Sequence, residues 1–231
     1  MISEHDQCIF IHIPKTAGQS VEQVFLERAG LTWENREALL LKRNSDSSLG
    51  PPRLAHLTAK EYTEYGYISM QKFMSMHKFT VVRNPWDRLV SEFTYQKYSF
   101  SFRNFLLKNF PKPGSDDYIN HHGHYRHIMP QIEFLTNLDG EICVDSVIKF
   151  ENIKADFAEV SKAITGQELT LPYRNKTQAP SGLSKLKNRL FKKPERKHYS
   201  TYYDDECIAF VAELYAAEIE LFKYDFEDLR A

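Results

Sequence analysis

Two stretches carry residue types suited to holding anionic groups. The first is Pro14-Lys15-Thr16-Ala17-Gly18-Gln19-Ser20, which follows an apolar run and precedes a helical pattern. A small-residue turn at a helix start points several unpaired backbone N–H groups at one spot, where the helix dipole also favours an anion. Lys15 adds a mobile positive charge, Thr16 and Ser20 can donate hydroxyl protons, and Gly18 lets a ligand approach the backbone closely. The nucleotide-triphosphate loop Gly-x-x-x-x-Gly-Lys-Ser/Thr is absent, because this lysine precedes the only glycine. A plain strand-to-helix turn with a solvated lysine would use the same residues.

The second stretch is Val81-Val82-Arg83-Asn84-Pro85-Trp86-Asp87-Arg88-Leu89-Val90-Ser91. If its strand lies beside the first, Arg83 leaves near the same pocket, and Ser91 follows about two helical turns into the next helix. A forked, permanently charged donor and a hydroxyl could together clamp a second phosphate. Asp87 and Arg88 read as a surface ion pair. The run His121-His122-Gly123-His124-Tyr125-Arg126-His127 lacks the spacing of a zinc site and has no nearby cysteine, so no metal is expected there. His12, inside the first strand, reads as a core residue or one that supports a site from behind.

These residues need strands to deliver them and helices to receive them. Cys8–Ile13, Lys78–Val82 and Ile142–Phe150 read as strands. Helical spacing follows in Val21–Leu26, Leu89–Tyr98 and Ile153–Ile164, with Pro85 suited to a first turn. Strand-helix alternation predicts an α/β fold with a central, mainly parallel sheet flanked by helices. Residues 44–52 read as a loop, Thr58 as the N-cap of a short helix, 174–197 as an exposed basic loop, and 204–222 as one long closing helix.

The chain has 231 residues, 42% hydrophobic and 26% charged, which suits a single domain over 1–231. Thirty Lys and Arg against 31 Asp and Glu give a net charge of -1, so no general attraction to nucleic acid or anionic lipid is expected and any anion site must be local. Cys8, Cys143 and Cys207 are odd in number and scattered, and read as buried reduced thiols. The start lacks a secretory pattern and no apolar run approaches a bilayer span, which predicts a cytoplasmic protein. A trimmed ectodomain would read the same way.

Pro14 through Ser20 resembles the 5′-phosphosulfate-binding loop of sulfotransferases that use 3′-phosphoadenosine 5′-phosphosulfate (PAPS), and Val82 through Ser91 resembles their 3′-phosphate motif. The pairing is more specific than either half. It looks most like the Golgi carbohydrate sulfotransferases and their bacterial relatives, including heparan sulfate uronosyl 2-O-sulfotransferases. Phe150-Glu-Asn-Ile153 is similar to that family's strand-to-helix junction, and Tyr199 through Phe226 to its closing helix. The middle, from Tyr98 to Asn137, matches poorly.

The resemblance implies a P-loop-NTPase-like three-layer fold, PAPS as co-substrate, no metal, and in-line transfer to a hydroxyl acceptor, expected to be a saccharide. Cofactor contacts would come from Lys15, Thr16, Ala17, Gly18, Gln19, Ser20, Arg83 and Ser91. Lys15 at the bridging oxygen would stabilise the leaving diphosphate. His56, between the two motifs, falls where the uronosyl enzymes carry a catalytic histidine, and an ordinary imidazole suits that task near neutral pH. A structural or capping histidine would occupy the same position. His127-Ile-Met-Pro-Gln131 resembles a His-x-x-Pro-Gln stretch of the family, which puts His127 or Gln131 in the acceptor or cofactor pocket. Asn175 and Lys176 sit where similar enzymes approach the nucleotide, and the basic loop would serve as a lid or screen an acidic sugar. A non-catalytic binder and a nucleotide phosphotransferase on the same fold remain as alternatives.

Overall fold

Ile2–Ser3 (β1) pairs antiparallel with Cys8–Ile11 (β2), whose four side chains are all buried. β2 pairs parallel with His77–Val82 (β3), and β3 parallel with Ser146–Lys149 (β4), giving the order β1-β2-β3-β4. The computed structural model describes residues 1–172 and 197–230.

Both faces of the sheet are covered, as parallel strands require. On one face Ile9, Ile11 and Val82 pack with Tyr62, Phe73 and Phe134. The opposite face sets Phe10, Phe79, Val81 and Ile148 against Val21, Phe25 and Phe157. Phe25 comes from Gly18–Arg28 (α1), Tyr62 from Glu61–Glu64 (α2), and Phe73 from Met70–Ser75 (α3). A further cluster joins Trp86 and Leu89 of Pro85–Gln96 (α4) to Phe105 of Phe102–Leu107 (α5) and to Tyr203, Cys207 and Val211. Phe134 lies in Gln131–Leu135 (α6), and Phe157 in Ile153–Thr165 (α7).

The register brings Ile11 beside Thr80 and Val82 beside Lys149. The segments leaving the carboxyl ends of β2, β3 and β4 therefore emerge on one edge, the usual ligand edge of an open α/β sheet.

Four expectations change. The strand expected over 142–150 pairs with the sheet only at Ser146–Lys149, because Ile142 bridges back to Thr136 and the Cys143 N–H donates to the Leu135 carbonyl. Cys143 is half-buried, while Cys8 and Cys207 are buried. The closing helix is two helices, Asp205–Leu214 (α8) and Ala216–Phe222 (α9). They part at Tyr215, which leaves helical geometry at φ -112° and ψ 23°, is buried, and donates its hydroxyl to the Ile128 carbonyl. Thr58 does not cap α2 with its side chain; instead the Glu61 carboxylate reaches back to accept the Thr58 N–H at 2.7 Å. No helix among the described residues is long and apolar enough to cross a membrane.

Candidate active site

The carboxyl edge opens on a cleft of about 260 Å³ lined by Lys15, Ala17, Gly18, Gln19, Ser20, Arg83, Ser91, His56 and His127, all singled out by sequence. Pro14, Arg53, Tyr95, Phe150 and His12 complete the lining.

The first wall is the loop between β2 and α1. Lys15 and Ala17 take left-handed φ values of 71° and 68°, which cost a non-glycine residue about 1–2 kcal/mol each. Thr16 holds the turn between them: it is fully buried and its Oγ1 donates to the Ile13 carbonyl at 2.8 Å. Thr16 is thus a strut behind the cleft, and its side chain is not among the lining residues. Ala17 precedes α1 without a side-chain cap; the Ser20 N–H donates to the Ala17 carbonyl at 3.0 Å, and Gly18, Gln19 and Ser20 of the first turn line the cleft.

Gly18 answers a packing demand as well as a ligand's. A Cβ there would lie 2.1 Å from His12 Cδ2 and 2.2 Å from Nε2. The ring cannot swing away, because its Nδ1 meets Glu22 Oε1 at 2.5 Å and the ring stacks on Phe10 at 5.4 Å. Gly18→Ala is expected to destabilise the fold by about 1–3 kcal/mol, lowering Tm by roughly 3–10 °C. A thermal melt checks this, and an unchanged Tm would mean that the loop and ring can separate.

The second wall starts at Arg83. Its Nε and Nη2 donate to Asp87 Oδ2 at 2.8 and 2.6 Å, Nη1 donates to the Lys15 carbonyl at 2.8 Å, and the guanidinium lies 4.1 Å from the Phe150 ring centroid. α4 begins at Pro85, with Asn84 Oδ1 accepting the Trp86 N–H, and carries Ser91 to the cleft. The expected Asp87–Arg88 surface pair does not form. Arg88 is 1% exposed and donates to the carbonyls of Pro14, Met129 and His127 at 3.2, 2.9 and 3.0 Å, while Asp87 serves Arg83. Arg88 thereby ties the first loop to the segment that carries His127.

Lys15 Nζ lies 3.7 Å from the Tyr95 ring centroid and 4.0 Å from Glu92 Oε2. His127 Nδ1 stands 3.0 Å from both Glu92 oxygens, and Gln96 donates to the same carboxylate at 2.6 Å. Burial pushes the Glu92 carboxyl up, but the hydrogen bond and charge of His127, then Gln96 and Lys15, outweigh it and hold the group below its ordinary range.

His56 sits in a 3-10 turn, Leu54–His56, half-buried on the cleft wall. Its Nδ1 meets the His12 carbonyl at 3.2 Å, and its ring packs edge-on against His12 and His127, at 4.5 and 5.6 Å. A carbonyl only accepts, so Nδ1 carries the proton and Nε2 keeps the lone pair. Burial first, then the neighbouring His12 and His127, push the imidazole well below its usual 6.5. Arg126 fixes the turn from below, donating to the His56 carbonyl at 3.2 Å and pairing in two-pronged fashion with Glu61.

Of the pair His127 and Gln131, His127 lines the cleft and Gln131 does not. It is fully buried, and its amide brackets the Arg83 backbone, accepting from N–H at 2.9 Å and donating to the carbonyl at 2.8 Å. Glu218 of α9 holds that amide in turn. The histidine run spreads apart: His121 donates to the Asn44 carbonyl, His122 stacks on His124, and His127 joins the cleft. The readings on Arg174 through Arg196, with Asn175 and Lys176, lie outside the described residues. Lys197 is exposed beside a separate pocket.

Sequence reasoning missed Glu92, Tyr95 and Arg53. Tyr95 was within reach, since it follows Ser91 by four residues and so shares its helix face. Arg53 gave no local signal, because its approach depends on the fold of residues 44–52. A family model described as the sulfotransferase family matches residues 1–225. No curated protein and no solved structure gives a significant match.

Proposed function

This chain belongs to the sulfotransferase family, and from that membership we propose that it transfers the sulfuryl group of PAPS to a hydroxyl on a saccharide. The observation that carries the donor reading is the contact of Arg83 Nη1 with the Lys15 carbonyl at 2.8 Å. It joins two anion-suited elements, the α1 start and the Arg83–Ser91 wall, in one cleft. A donor with two separated phosphate groups, one bearing sulfate, matches that division better than a triphosphate does.

In this reading the α1 N–H groups and Lys15 hold the phosphosulfate, and Arg83 with Ser91 the 3′-phosphate. The acceptor oxygen bonds to sulfur as the bond from sulfur to the bridging phosphate oxygen breaks. The acceptor proton passes to His56 Nε2. Lys15 offsets the negative charge that develops on the leaving oxygen. Glu92 and Tyr95 position the Lys15 ammonium, and Asp87 and Phe150 fix the Arg83 fork.

A thermal-shift comparison tests the donor. Adenosine 3′,5′-diphosphate at about 100 times its Kd should add about 2.7 kcal/mol, raising Tm by roughly 5–10 °C. ATP with Mg²⁺ should give a much smaller rise. A larger rise with ATP and Mg²⁺ would favour phosphotransfer, and no rise with the diphosphate in folded protein would sink the reading.

A further inference from the structure

One buried histidine on the cleft wall takes no part in the steps proposed above. His12 is 5% exposed, yet it lines the cleft and also a second cavity of about 170 Å³ that adjoins it along His12, Gln19, Arg53 and His56. Its Nδ1 meets the Glu22 carboxylate at 2.5 Å, and among the described residues its Nε2 makes no hydrogen bond. We infer that His12 is a further donor-binding residue: its Nε2–H donates to an oxygen of the phosphosulfate, and Glu22 holds the ring in place for that contact. The inference rests on the donor reading above, which supplies the anion.

Three contacts fix where the ring points. It stacks on Phe10 of β2 with centroids 5.4 Å apart, Glu22 of α1 holds Nδ1, and the opposite edge of the ring faces Gly18, where a Cβ would lie 2.2 Å from Nε2. Gly18 opens α1, and Gly18, Gln19 and Ser20 of that first turn line the cleft. Nε2 therefore stands beside a helix start, where the dipole favours an anion. A buried ring nitrogen without a protein partner, set at that point, adds a directed hydrogen bond to a field that is otherwise diffuse.

The charge on the ring follows from its partners. A carboxylate only accepts, so Nδ1 carries a proton and Nε2 is the atom left for a ligand. Glu22 is 2% exposed, and a carboxylate buried that far is costly unless a charged partner meets it. An anion at Nε2 places a second negative charge on the other side of the ring, and between two anions the imidazole keeps a hydrogen on each nitrogen. The cations of the two cavities, Lys15, Arg53 and Arg83 in the first and Arg36, Lys42 and Arg43 in the second, oppose that second hydrogen until a polyanion offsets them. His56, edge-on to His12 at 4.5 Å, has a carbonyl rather than a carboxylate at its Nδ1. The two rings thus divide the work: His12 donates to the sulfuryl donor, and His56 keeps a lone pair for the acceptor proton.

Two substitutions separate the ring nitrogens. His12→Asn keeps a donor near the place of Nδ1 and removes Nε2, whereas His12→Gln sets an N–H near the place of Nε2. Calorimetry without acceptor compares adenosine 3′-monophosphate, adenosine 3′,5′-diphosphate and PAPS. His12→Asn is expected to weaken PAPS roughly tenfold or more, about the loss of one charged hydrogen bond, and to leave the 3′-monophosphate unchanged. His12→Gln should recover part of that loss. A loss shared by PAPS and the diphosphate puts the contact on the 5′-phosphate, and a loss confined to PAPS puts it on the sulfuryl oxygens; both support the inference. An equal loss for all three ligands, or none for any, would overturn it. Should His12→Asn fail to fold, the unaltered protein carries the test. With ¹⁵N-labelled histidine, the His12 Nε2 signal, identified through its ring's contacts with Phe10, is expected to bear a proton once PAPS binds, and a signal that keeps its lone pair would refute the contact. If no adenosine ligand binds the unaltered protein, the donor reading fails by itself. The same signal, followed during a titration with inorganic pyrophosphate, then decides whether the ring meets an anion: a proton on Nε2 supports the contact, and its absence overturns it.

Discussion

Lys15→Ala is expected to lower kcat for sulfuryl transfer by about 10²–10³, the usual cost of losing one group aimed at charge that develops in the transition state. Lys15 Nζ rests on the Tyr95 face and stands 4.0 Å from Glu92, longer than a hydrogen bond. Lysine and alanine both bear the left-handed φ of 71° at this position, so the substitution leaves the backbone problem unchanged and isolates the charge. Binding of adenosine 3′,5′-diphosphate should fall much less than kcat, because the α1 start and Arg83 remain. Steady-state turnover and the diphosphate thermal shift, measured on one preparation, separate the two effects. A variant that kept more than half of its turnover would remove Lys15 from the chemistry.

The parts of this site legible in the sequence are those whose chemistry is local. A strand running into a small-residue turn and then a helix fixes where Lys15, Gly18 and Ser20 point, and Asn84-Pro85 marks where α4 must begin. The parts that were misread depend on distant segments. Arg88 looks like a surface charge beside Asp87, yet its three acceptors belong to Pro14, His127 and Met129. The partners of the Gln131 amide, the Arg83 backbone and Glu218, are equally distant in sequence. The break at Tyr215 has no helix-breaking residue to announce it, and coincides with a hydroxyl contact to Ile128 across 87 residues of chain. In each case a buried polar group was satisfied by a partner that only the fold supplies.

That distinction bears on His56, whose proposed role as base rests on a backbone contact that no motif encodes. His56→Ala is expected to lower kcat by about 10²-fold, the lower end of the general-base range. The lower end follows from the environment: burial and the neighbouring His12 and His127 keep the ring neutral by holding its pKa well below 6.5, which also weakens its pull on a proton. The sign of the pH dependence follows. Activity should persist as pH falls through 6.5 and disappear only at the lowered folded value. Stability should be fully present above 6.5 and decline below it, because the unfolded chain takes up a proton there and the folded chain does not. Negative charge on a bound donor raises the proton affinity of the ring again. The acid limb of kcat should therefore lie above that of kcat/KM for the donor. His127 is the rival base, since Glu92 fixes its Nδ1 as the His12 carbonyl fixes that of His56. If His127 takes the proton, His127→Ala will abolish the acid limb and His56→Ala will retain it; the opposite pattern assigns the proton to His56.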